Sequence, residues 1–269
     1  MGPFIDAAFV REHLNAITVC HVGWGVDGAP GDAGYLAGHI PGALYVDLDR
    51  DVAAPATTAG GRHPLPDPAT WAATLGRLGF DRARQVVAYD DGVGGIAARL
   101  VWMLRATGFD AAVLDGGLEG WGMPRAQEPA VTNPTLVPLR PFPKQLLVGI
   151  DDVLDAPLLL DARDAARYRG DSAGPDARAG HIPGAVSVPF TDNLDEHGLL
   201  RPDDELAAIY DPLLAGGVTA VASCGSGVTA CHDLLVLEHL GHGHGQLFVG
   251  SWSAWAASRL RRITVGDQP

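Results

Sequence analysis

The sequence predicts an α/β protein of two tandem domains, each a parallel sheet flanked by helices. Three observations lead there. Ala37-Gly38-His39-Ile40-Pro41-Gly42-Ala43 recurs letter for letter as Ala179-Gly180-His181-Ile182-Pro183-Gly184-Ala185, an offset of 142 (39 to 181). Val87-Ala88-Tyr89-Asp90 then aligns with Val221-Ala222-Ser223-Cys224, and Trp121 with Trp255, both at an offset of 134. A repeat this long is a domain, not a solenoid unit. Finally, short apolar runs alternate with helical segments, the pattern of parallel strands joined by helices.

Taken in order, residues 1–14 mix acids into a weak apolar pattern and lack the basic start and long apolar run of a secretory leader. The fall of the offset from 142 to 134 places about eight extra residues in the first half, around 52–66. Residues 71–78 and 97–105 read as helices. Prolines 124, 129, 134, 138, 141 and 143 block helix and central strand. Residues 124–144 therefore read as a Pro-rich linker between an N-terminal domain, 1–123, and a C-terminal domain, 145–269. In the second half, 158–160, 186–188, 218–221 and 246–249 read as strands, and 205–210 and 229–240 as helices. His39 and His181 sit in both halves, which marks them as structural: buried, hydrogen-bonded, and fixing a loop that turns at Pro-Gly.

The most informative stretch is Val221 to Ala230. An apolar strand ends at Cys224, and Gly225 and Gly227 let the backbone curl so that successive N–H groups converge into an anion-binding nest. The following helix points its positive end at the same place. Both features favour a thiolate over a thiol. Asp90 takes the cysteine's place in the first half, followed by Asp91-Gly92-Val93-Gly94-Gly95. A carboxylate carries no sulfur, so the first half is expected to be inactive. The glycine run there lacks the full dinucleotide fingerprint.

Cys224-Gly225-Ser226-Gly227-Val228-Thr229-Ala230 resembles the active-site loop of the rhodanese superfamily, and among its tandem-domain sulfurtransferases that of the 3-mercaptopyruvate sulfurtransferases. Thiosulfate-preferring members carry Arg-Lys where this chain has Gly225-Ser226. The resemblance implies a ping-pong transfer of sulfane sulfur through a Cys224 persulfide, with no metal or organic cofactor. Gly225, Gly227, Val228 and Thr229 would line the substrate. Ser226 would relay a proton with a histidine and an acid, for which His63 and Asp49 are the candidates. A small α-keto acid donor suits a bidentate arginine. Arg167 matches the family's substrate arginine, with Arg178 a candidate second clamp and Arg62 a further anion-binding residue. Near the C-terminus the family's Asp-Gly-Ser-Trp-x-Glu-Trp reads Val249-Gly250-Ser251-Trp252-Ser253-Ala254-Trp255, without its acids.

Bulk properties narrow the remaining choices. The chain has 269 residues, 47% of them apolar, enough for a substantial core, and a net charge of −13. That balance argues against nucleic acid and anionic membrane as partners, and an anionic substrate needs a locally basic pocket. Three cysteines form no disulfide framework and fit a reducing compartment; with no apolar run long enough to span a membrane, a cytoplasmic monomer is expected. Cys20 and Cys231 read as structural, and His239, His242 and His244 as a loop before a strand. The acceptor is open among thioredoxin, another thiol, a sulfur-carrier protein and cyanide. Two alternatives remain open: thiosulfate as donor, and a non-catalytic binding module. A Cys-x5-Arg phosphatase is disfavoured by Ala230.

Overall fold

The computed structural model describes residues 1–25 and 30–269, and counts of elements refer to these residues. Two compact units emerge. Unit 1 comprises residues 1–54, 65–143 and 197–199; unit 2 comprises 55–64, 144–196 and 200–269. Neither unit is contiguous in sequence. The first-half insertion groups with unit 2, and the Pro-rich stretch up to Pro143 groups with unit 1.

Unit 1 contains β1 (Phe4–Ile5), α1 (Ala7–His13), β2 (Thr18–Gly23), α2 (Ala33–Ala37), β3 (Leu44–Asp47), α3 (Leu48–Asp51), α4 (Pro68–Leu78), β4 (Val86–Asp90), α5 (Ala97–Ala106), β5 (Ala111–Leu114) and α6 (Gly117–Trp121). The strands pair in the order β1-β5-β4-β2-β3, all parallel. β2 and β4 are apolar and almost wholly buried, as expected of central strands covered on both faces. Asp67 caps α4 through its side chain, with Pro68 at the first helical position, and Gly79 closes the helix in the left-handed conformation. The Pro-rich stretch is a strap without regular structure, held at discrete points. His39 and Ala126 form a bridge, the Thr135 N–H donates to the Gly76 carbonyl at 2.9 Å, and Phe142 stacks against Trp102.

Unit 2 contains 3₁₀ turns at Lys144–Leu146 and Val153–Asp155, then β6 (Leu158–Asp161), α7 (Ala165–Arg169), β7 (Ala185–Ser187), a 3₁₀ turn at Phe190–Asn193, α8 (Asp203–Tyr210), β8 (Ala220–Ser223), α9 (Ala230–His239), β9 (Gln246–Leu247) and α10 (Ser251–Ala257). The parallel order is β7-β6-β8-β9. Its core gathers Leu159, Tyr168, Ile182, Val221, Phe248, Trp252 and Trp255.

The repeated Gly-His-Ile-Pro-Gly segments play the same part in each unit. His39 stacks on Tyr35 and its Nδ1 lies 2.7 Å from the Tyr35 carbonyl; His181 stacks on Tyr168 with Nδ1 2.8 Å from the Tyr168 carbonyl. Both imidazoles are fully buried and act as pins, in keeping with their presence in both halves.

Candidate active site

Cys224 follows the end of β8, where loops of a parallel sheet gather functional groups beyond the strand carboxyl ends. It is a free thiol, 2% exposed. Its Sγ accepts the Gly227 N–H at 3.1 Å. Gly227 has φ +76°, and a Cβ there would lie 2.5 Å from the Val249 carbonyl oxygen, so only glycine fits. α9 starts three residues later and directs its N-terminal end at the loop.

The loop is held from one side by the segment that opens α10. Ser251 has φ +49°, a left-handed conformation unusual outside glycine. Its hydroxyl accepts the Cys224 N–H at 3.1 Å and donates to the Phe248 carbonyl at 2.8 Å. The N–H groups of Trp252 and Ser253 donate to the carbonyls of Cys224 and Gly225 at 3.0 and 2.9 Å. Sequence reasoning read this segment as tryptophan packing and missed both serines. The tryptophans are buried, but the polar atoms between them are what tie the loop down.

His63 and Ser226 come together, with Nδ1 to Oγ at 2.7 Å, and both are nearly buried. Although His63 belongs to the first half of the sequence, its segment is part of unit 2, and the Ser253 hydroxyl accepts the Arg62 N–H at 3.1 Å. Asp49 is exposed on α3 in unit 1. Val228 is buried, and Thr229 precedes α9 without making a side-chain capping bond.

Arg167 and Arg62 converge on Gly225. A Cβ there would lie 2.9 Å from Arg167 Nη2 and 3.0 Å from Arg62 Nη2. Asp176 joins them: one carboxylate oxygen accepts from Arg62 Nη1 and the other from Arg167 Nη2 at 2.8 Å. Arg167 Nε is buried and has no hydrogen-bond partner among the described residues. Arg178, expected as a second clamp, is placed otherwise. Its guanidinium donates to the carbonyls of Ala256, Arg261, Trp255 and Ser258 at 2.6–3.2 Å. That spends its donors on the carboxyl end of α10, where a cation also meets the helix dipole favourably. The second arginine at the loop is Arg62. Asp176, a third residue that sequence reasoning missed, carries no signal beyond being one acid among many.

Behind the loop, α9 carries the buried pair His232 and Asp233. Burial lowers the His232 pKa to about 4 and raises that of Asp233 well above the usual carboxylate range. Asn193 donates to Asp233 at 2.9 Å and accepts from the Tyr210 hydroxyl at 2.8 Å. His239 at the end of α9 and His242 and His244 after it separate into pairs with Asp203, Asp211 and Glu238, and no group of metal-ligating side chains forms among the described residues. Cys231 is buried, its thiol 3.4 Å from the Gly227 carbonyl, and Cys20 is buried on β2. No helix among the described residues is long and apolar enough to cross a membrane.

In unit 1 the same loop holds Asp90, whose carboxylate accepts four backbone N–H groups, from Gly92, Gly94, Ile96 and Ala97, at 2.7–3.0 Å. Two copies of one anion-binding loop on parallel sheets agree with the match of the rhodanese-like domain model to residues 26–123 and 143–258. The chain belongs to the rhodanese-like family. Among rhodanese-family relatives, a Pseudomonas aeruginosa protein named "Probable 3-mercaptopyruvate sulfurtransferase" is 42% identical over 87% of this chain and 86% of its own length. The thiosulfate sulfurtransferase of Rattus norvegicus is 34% identical over 82% of this chain and 78% of its own. The solved structure of 3-mercaptopyruvate sulfurtransferase from Leishmania major superposes with a TM-score of 0.82 at 30% identity, covering 94% of this chain and 73% of that one.

Proposed function

We propose that this chain is a sulfurtransferase that moves sulfane sulfur from 3-mercaptopyruvate to a thiol or to cyanide through a persulfide on Cys224. The observation that carries this reading is the Cys224 sulfur, seated on the Gly227 N–H beside Arg62 and Arg167 at Gly225. The Cys224 thiolate attacks the donor sulfur, and the carbon–sulfur bond breaks. Its electron pair leaves as the enolate of pyruvate, which takes a proton at carbon. Ser226 and His63, whose Oγ and Nδ1 lie 2.7 Å apart, pass that proton, with Asp49 as the acid that completes the relay. The loop N–H groups and the end of α9 stabilise the anionic persulfide. An acceptor thiolate or cyanide then takes the outer sulfur and restores the thiolate. Arg167, with its unspent Nε, and Arg62 bind the donor carboxylate. We further propose that the protein acts as a cytoplasmic monomer with a small thiol or thioredoxin as acceptor, in keeping with three cysteines that form no disulfide among the described residues.

Intact mass after mixing with mercaptopyruvate tests the reading. The wild type gains one sulfur atom, the Cys224→Ser variant gains none, and Arg167→Ala lowers kcat/KM for mercaptopyruvate by about 100-fold, as expected for loss of a charged contact. A wild type that gains no sulfur from mercaptopyruvate or thiosulfate would leave a binding module as the better account. A higher kcat/KM with thiosulfate would keep Cys224 but change the donor.

A further inference from the structure

The two arginines at Gly225 raise a problem of charge. Two guanidiniums side by side form a dication, which should favour a dianion such as thiosulfate over a monocarboxylate. Asp176 alters that sum. Its carboxylate is 1% exposed and bridges Arg62 and Arg167, which are 30% and 23% exposed. The three side chains together carry one net positive charge beside Gly225, the residue after Cys224. On the loop itself Gly225 brings no charge, and a Cβ there would lie 2.9 and 3.0 Å from the two guanidinium groups.

We propose that Asp176 is a specificity-determining residue: by neutralising one of the two guanidinium charges beside Gly225, it matches the site to a singly charged donor and against a dianion. The inference rests on the sulfurtransferase reading for its biological meaning, but the charge effect can be measured without any sulfur donor. Alkylation of Cys224 by anionic iodoacetate and by neutral iodoacetamide, located by peptide mass, reports the charge beside the Cys224 loop as a ratio of two rates on one protein. Asp176→Asn keeps the shape and removes the negative charge. It is expected to raise the iodoacetate-to-iodoacetamide ratio by about tenfold, the scale of one elementary charge removed from a partly buried cluster near the reacting atom. Asp176→Glu keeps the charge and should stay within about twofold of the wild type. The same Asp176→Asn change should raise kcat/KM for thiosulfate relative to mercaptopyruvate by a similar factor. An unchanged alkylation ratio in Asp176→Asn overturns the inference. So does an equal rise in Asp176→Glu, which would make Asp176 only a support for the arginines. Loss of both donors in equal measure, with the alkylation ratio unmoved, overturns it as well. Because the alkylation ratio needs no sulfur transfer, failure of the proposed reaction and failure of this inference are read separately.

Discussion

The Asp90 loop and the Cys224 loop are the same backbone device put to opposite uses. In unit 1 the nest is filled by the chain's own carboxylate, which takes four N–H groups. In unit 2 the sulfur takes the Gly227 N–H, and the loop is tied instead from outside by Ser251, Trp252 and Ser253. One loop stabilises itself with a fixed anion. The other holds a cysteine sulfur in the anion position and relies on a neighbouring segment for its shape. At the offset of 134, the helix behind the carboxylate carries Ala98 and buried Arg99, whereas the helix behind the thiol carries His232 and Asp233. The lesson is that such a nest is held either by a carboxylate that fills it or by a segment that braces it from outside.

The largest expected effect breaks this comparison at Asp90. Asp90→Asn puts an amide N–H₂ against two backbone donors, leaving buried N–H groups unsatisfied, at a cost of about 3–5 kcal/mol. Cys224→Ala, at the matching position, should cost under about 1.5 kcal/mol. Urea midpoints of both variants give the contrast, and equal losses would refute the assignment of self-tethering to the first loop alone.

Next comes the brace itself. Arg178 holds the carboxyl end of α10 through four carbonyls, and its counterpart at the offset of 142 is Leu36, which makes no such tie. Arg178→Gln should lower stability by about 2 kcal/mol while leaving KM for the donor unchanged. A raised KM at unchanged stability would return Arg178 to the substrate site.

The smallest effect concerns pH. His232 is held neutral in the fold, with its pKa lowered to about 4, while the unfolded chain protonates it near 6.5. Between those values the unfolded state binds more protons, so this residue's contribution is present above about pH 6.5 and lost as pH falls toward about 4. Asp233, raised, acts with the opposite slope, because its protonated folded form loses favour as pH rises. Urea midpoints of wild type and His232→Asn measured from pH 7 to 5 isolate the histidine. The advantage of the wild type should shrink by about 1–2 kcal/mol across that window. A constant difference would mean that His232 titrates normally in the fold.

Much of this was legible beforehand because it rests on local signals. The repeat, the β8–Cys224–α9 succession and the two pinning histidines follow from periodicity, glycine placement and duplication. The elements differ from expectation mainly at their ends: β9 stops at Leu247 rather than reaching 249, because the chain turns there into the Ser251 brace. What the sequence hid is long-range. Nothing local marks Asp176 as the partner of two arginines, or Arg178 as a helix clamp, since the same residue types serve surface ion pairs everywhere. The grouping of 55–64 with unit 2 and of 124–143 with unit 1 was hidden for the same reason, as it depends on contacts distant in sequence.

That exchange of a short segment has a consequence for how such a chain can evolve. Arg62 and His63 are encoded in the half that carries Asp90, yet they are members of the unit that carries Cys224. A gene cut at the midpoint would produce a C-terminal fragment with Cys224 but without the histidine that meets Ser226 and without one of the two arginines at Gly225. The two repeats are therefore not interchangeable: a segment written in the first half of the sequence is a structural member of the second unit.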